Sequence, residues 1–90
     1  MPKYIIERNL PGIGNISTED LKSAARTSCD ILRKMGPEIQ WLHSYVANDT
    51  MYCIYIAPNE NVIKQHAKDG GFPADKISKI SKIIDPTTAE

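Results

Sequence analysis

An α+β architecture in the order βαββαβ is what this 90-residue sequence predicts, and three features carry the prediction. Short runs rich in β-branched and aromatic residues alternate with longer stretches whose apolar residues recur at helical spacing. Two of those runs, residues 39–46 and 51–57, are separated only by Ala47-Asn48-Asp49-Thr50, which is the spacing of a hairpin. Turn and cap residues such as Pro11-Gly12, Gly36-Pro37 and Gly70-Gly71 punctuate the remainder.

Taken in order, Lys3 to Arg8 is a β-forming run that stops at Asn9-Leu10-Pro11-Gly12-Ile13-Gly14-Asn15, a segment loaded with turn residues. Ser17 then opens a helix: its hydroxyl caps free backbone donors, and Glu19 and Asp20 complement the helix dipole. Leu21, Ala24, Ala25, Ser28, Ile31, Leu32 and Met35 form its apolar or small face, opposite Lys22, Arg26, Asp30, Arg33 and Lys34. Gly36-Pro37 ends it. The hairpin follows, and then Pro58-Asn59-Glu60 caps a second helix with the stripe Val62, Ile63, His66 and Ala67, stopped by Gly70-Gly71. From Ile77 to Ile84 isoleucine recurs every three residues up to Ile83, a spacing open to helix or strand. β-branched content, and the need of a βαββα chain for a closing strand, favour a strand over most of it.

This order is the ferredoxin-like, split βαβ arrangement, with two helices on one face of a four-stranded antiparallel sheet. The sequence places it in one domain over residues 1–86, with 87–90 as a C-terminal tail. The second sheet face is then left open. Trp41, Leu42, Tyr45, Val46, Tyr52, Ile54, Tyr55 and Ile56 occupy both parities of the hairpin, so neither face suits water. A second subunit covering that face gives a homodimeric α+β barrel with a cleft between sheets, against the plainer alternative of a monomer with a few exposed aromatics.

Eleven Lys and Arg balance eleven Asp and Glu, and a net charge of zero leaves no electrostatic footprint for nucleic acid or an anionic membrane. Cys29 and Cys53 belong to no CxxC or CxxH pair, so neither a disulfide framework nor a structural zinc site is written here. The first residues have no apolar leader segment, and no apolar run approaches the roughly 20 residues of a membrane span; a reduced, cytoplasmic setting is expected.

Candidate chemistry centres on two histidines. His43 shares a strand parity with Trp41 and Tyr45, and its relation to Cys53 depends on hairpin register. If Val46 faces Met51, His43 pairs with Ile54 and Ser44 with Cys53, which sets imidazole and thiol on opposite faces. If Ala47 faces Met51, His43, Tyr45, Cys53 and Tyr55 share one face and build a cluster suited to a soft or borderline metal. A two-residue Asn48-Asp49 turn favours the first register. His66 lies in the apolar stripe of the second helix near its C-terminus, where a satisfied packing role is favoured over metal ligation. Glu7 and Asp85, at the ends of two neighbouring strands, are the acids available to complete a metal site. Gly12-Ile13-Gly14 lacks the third glycine and the lysine of a phosphate loop and is a turn device. Cys29 has no base nearby in sequence, and no catalytic triad, carboxylate pair or cofactor fingerprint is present.

Glu7-Arg8 with Pro11-Gly12, Trp41 with Ser44-Tyr45-Val46, Cys53 to Glu60, His66-Ala67 with Gly71-Phe72-Pro73-Ala74, and Ile84 to Thr87 form an ordered set covering nearly the whole chain. Together they resemble a small bacterial family of nickel-binding, ferredoxin-like proteins of otherwise unknown function. The resemblance implies a ferredoxin-like homodimer with nickel bound at the dimer surface. The expectation that follows is a cytoplasmic nickel-binding homodimer without evident catalysis. His43, His66 and Cys53 are its best ligands, since imidazole and thiolate suit Ni²⁺, with Glu7 and Asp85 as supporting acids. The rival is an enzyme or small-molecule binder of oxygenase or isomerase type that uses the inter-sheet cleft, with Tyr45, Tyr55, His43 and Glu7 around it.

Overall fold

In a computed structural model describing residues 1–90, β1 (Lys3–Asn9), α1 (Thr18–Met35), β2 (Gln40–Ala47), β3 (Thr50–Ile56), α2 (Glu60–Gly70) and β4 (Lys76–Lys79) follow the expected order. The strands form one antiparallel sheet in the order β2-β3-β1-β4, so both helical crossovers fall on the same face and the fold is ferredoxin-like. No helix is long and apolar enough to cross a membrane.

The caps sit where the sequence puts them. The Ser17 Oγ accepts the Asp20 N–H at 3.1 Å, and the Asn59 Oδ1 accepts the Val62 N–H at 3.1 Å. Gly36 and Gly71 both take positive φ at the helix ends. The loop after β1 adds a short 3₁₀ turn, Ile13–Asn15, and docks on the hairpin turn: the Leu10 N–H donates to the Asp49 carbonyl, and the Gly12 N–H to the Asp49 Oδ1. A Cβ on Gly14 would lie 2.7 Å from the Asn48 carbonyl oxygen, so only glycine permits this approach.

Strand β1 pairs Ile6 with Cys53 and Arg8 with Met51; its buried residues Tyr4, Ile6 and Arg8 all face the helices. With Cys53, Tyr55, Ala57, Ile39 and Ile63 they build the core, against which Leu32, Met35 and Val62 pack from the helices. Only 11 of 90 residues are buried, because a single sheet face is covered. Across the other face run the rows Tyr45, Tyr52, Glu7, Lys76 and His43, Ile54, Ile5, Ser78. Isoleucine and tyrosine dominate its middle.

Two expectations are corrected. The closing strand ends at Lys79 instead of covering most of 77–84. The Ile80 N–H still donates to the Lys3 carbonyl at 2.9 Å, but β1 begins at Lys3, and Pro2 before it turns its carbonyl to Ala57 on the β3 side, so the ladder between β4 and β1 ends there. Residues Pro86–Ala89 then form a 3₁₀ turn capped by Asp85. Secondly, Trp41 does not share a face with His43 and Tyr45. A bulge between Trp41 and His43 absorbs Leu42 and turns Trp41 toward the helices opposite Tyr55.

Candidate functional site

The hairpin adopts the register in which Val46 faces Met51, His43 faces Ile54 and Ser44 faces Cys53. Asn48 takes φ 55° in the two-residue turn, a conformation asparagine tolerates. His43 and Cys53 therefore stand on opposite sides of the sheet. His43 lies on the open face, its ring edge-on to Tyr45 at 5.0 Å between centroids. Glu7 is on that same face, two strands away and in the adjoining row, roughly 10 Å distant at the usual strand spacing. Cys53 is sealed under the helices. Asp85 is fully exposed, and bonds from the Thr87 hydroxyl and amide to its carboxylate hold its pKa below the ordinary value. No three His, Cys, Asp or Glu side chains converge on a metal position within the chain. Tyr55 likewise faces the helices, so it does not join Tyr45, His43 and Glu7 around an inter-sheet cleft.

His66 has no exposed surface. Its Nε2 meets the Ser28 Oγ and the Tyr55 hydroxyl, each at 3.2 Å, while Nδ1 has no partner. Burial, reinforced by the positive charge of Arg8, lowers its pKa from 6.5 to about 4, with Asp69 pulling the other way. The ring is thus neutral at pH 7 and tied into a Ser28–His66–Tyr55 bridge joining α1, α2 and β3. Burial raises the Tyr55 pKa as well, against a lowering by Arg8, so the phenol keeps its proton.

Beside this bridge the sheet and α1 enclose a cavity of about 300 Å³. It exists because the first half of α1 stands off the sheet: Leu21 and Ala24 are exposed, and Ser28 is the only buried residue of the helix. Leu10, Ile13, Leu21, Ala25, Val46 and Met51 supply apolar wall, and Cys53, Tyr55, Trp41 and Phe72 close the inner end. Within this wall stands Arg8, only 3% exposed. Its Nη1 donates to the Pro73 carbonyl, its guanidinium lies 5.6 Å from the Phe72 ring centre, and its Nη2 is buried without a partner. No carboxylate pairs with it; the two ion pairs of the chain, Arg33–Asp30 and Lys64–Glu60, are exposed and elsewhere. The Trp41 indole N–H donates to the Ser44 Oγ at 2.9 Å, which leaves the Ser44 hydroxyl proton to donate in turn.

The family model for nickel responsive proteins of the SCO4226-like type matches residues 4–80. The chain belongs to this family. Its fold matches the crystal structure of SCO4226 from Streptomyces coelicolor A3(2) with a TM-score of 0.76 at 15% sequence identity, covering 91% of this chain and 99% of that one. No curated protein matches the chain.

Set against the family's nickel description, this member's donors do not fit a complete site within one chain. His66 has its Nε2 engaged and no exposed surface, Cys53 is enclosed, and Asp85 caps its own turn. His43 is the imidazole that solvent reaches. Arg8 and Phe72 stand out in the sequence only within the family-like motifs, and Ser28 only as part of a helix face; none of the three is among the expected site residues. The signal for Arg8 lay in strand parity, since it continues the Tyr4, Ile6 alternation that fills the core.

Proposed function

We propose that the chain acts as a small nickel-binding homodimer of the cytoplasm, a binding protein rather than a catalyst, joined through the open face of its sheet. Membership of a nickel responsive family supports the metal, and the observation that carries the rest is His43 exposed on an apolar sheet face with no completing ligands in its own chain. A two-fold axis through that face doubles every donor on it. Two His43 imidazoles, with Glu7 as the acid of the same face, then offer the nitrogen and oxygen donors that suit Ni²⁺. Zero net charge adds little long-range repulsion between copies. The absence of a disulfide fits a reducing compartment.

Calorimetric titration of tag-free protein with NiCl₂ tests the assignment. The heat of binding is expected to survive His66→Ala and to vanish in His43→Ala. Heat that persists unchanged in His43→Ala would overturn it.

A further inference from the structure

Independently of the metal, the cavity between α1 and the sheet has features that an empty packing fault lacks. A purely apolar void would be lined by hydrocarbon alone and would stay dry. This one holds a guanidinium that is 97% buried, without a carboxylate and with Nη2 unsatisfied. Arginine cannot shed its proton to escape the cost of burial, as a lysine or histidine can. A protein group does offset part of that cost: the Pro73 carbonyl takes one donor and the Phe72 ring faces the cation. Neither is an anion.

We infer that the cavity binds a small organic monoanion, a carboxylate with an apolar body, its headgroup on Arg8 and its tail among Leu21, Ala25, Val46 and Met51. The charge count sets the class. Arg8 is the one cation in the wall, His66 behind it is neutral, and Tyr55 remains a phenol. One positive charge balances a carboxylate, whereas a phosphate dianion would leave a buried negative charge over. The wall beyond Arg8 is mostly apolar, and a volume of about 300 Å³ stands at the small end of ligand pockets. The way in is at the hairpin end, where Leu21 and Val46 are exposed. Cross-strand pairing puts Arg8 in one row with Met51 and Val46, so the guanidinium belongs to the row nearest that entrance.

The chain's one tryptophan, Trp41, lines the cavity, so its emission reports occupancy without a label. Titration with octanoate, 1-octanol and octylamine compares one tail under three headgroups. Octanoate is expected to bind about tenfold or more tighter than the alcohol, as a charge-assisted hydrogen bond would give, with the amine weakest. Arg8→Gln should bring acid and alcohol level, and Ala25→Phe, which fills the cavity, should abolish both. Equal affinity of the unaltered protein for octanoate and octanol, or no emission change with octanoate, overturns the inference. So does octanoate binding that Ala25→Phe leaves intact. Because the acid-to-alcohol ratio is read on the unaltered protein, it decides the matter even if Arg8→Gln fails to fold.

Discussion

His66 couples stability to pH through a mechanism that its neighbours define. The ring titrates near 6.5 when unfolded and near 4 in the folded chain, so between these values the unfolded state holds the extra proton. Its contribution is fully present above about pH 6.5 and is lost as pH falls toward 4, by about 3 kcal/mol in all at 1.36 kcal/mol per pKa unit. Urea midpoints measured from pH 7.5 to pH 4 should therefore decline, and His66→Gln, which keeps a polar group at the site but cannot titrate, should flatten that decline. A decline of equal steepness in the variant would assign the effect to the carboxylates. The role of this residue was legible in part from sequence, because a histidine inside the stripe Val62, Ile63, Ala67 has to face the core. Its partners Ser28 and Tyr55 were not, since they come from two other elements and only packing unites them. Arg8 was hidden for a different reason: a charged residue at the end of a strand suggests solvent, and only the loop carrying Phe72 and Pro73 over it makes it buried.

At the scale of elements, the loop after β1 and the hairpin turn form one interlocked unit, held by Asp49 and by the contact of Gly14 with Asn48. A methyl at Gly14 meets a backbone oxygen that cannot swing aside, so Gly14→Ala is expected to cost about 1–3 kcal/mol in chemical denaturation. Asn48→Gly, at a positive φ, should change stability by no more than about 0.5 kcal/mol, and a β-branched residue there should cost more. Element order, caps and hairpin register were all readable from the chain, because each depends on local residues such as Ser17, Asn59 and the Asn48-Asp49 turn. The bulge at Leu42 and the early end of β4 were not. Alternation of Trp41, His43 and Tyr45 looks regular until pairing with β3 skips a residue. The isoleucines beyond Lys79 look like strand, but β1 begins at Lys3 and offers them no further partner.

For the molecule as a whole, the arithmetic of size now has a structural form. One face of the sheet is covered by helices and the other carries Ile5, Tyr52, Ile54 and Ile56 half-covered, with Tyr45 and Leu42 exposed. A second copy stacked on that face is the proposed completion. Sedimentation of the intact protein should give the mass of a dimer, and Ile54→Lys, which sets a charge at the centre of the face, should give a folded monomer. A monomer mass for the unaltered chain, or a dimer undisturbed by Ile54→Lys, would remove the sheet-to-sheet interface. The sequence showed that one face lacked cover but not which residues it presents, because the Leu42 bulge decides that.

The same bulge has a protective side. An uncovered sheet can be extended in its own plane, strand upon strand, which is the route to fibres. Here neither border permits it. Strand β2 is kinked by the bulge at Leu42, and β4 is four residues long with Lys76 and Lys79 at its ends. Growth by edge addition is thereby blocked at both rims, and an apolar face that would otherwise be an aggregation hazard is left with stacking as its way of meeting another copy.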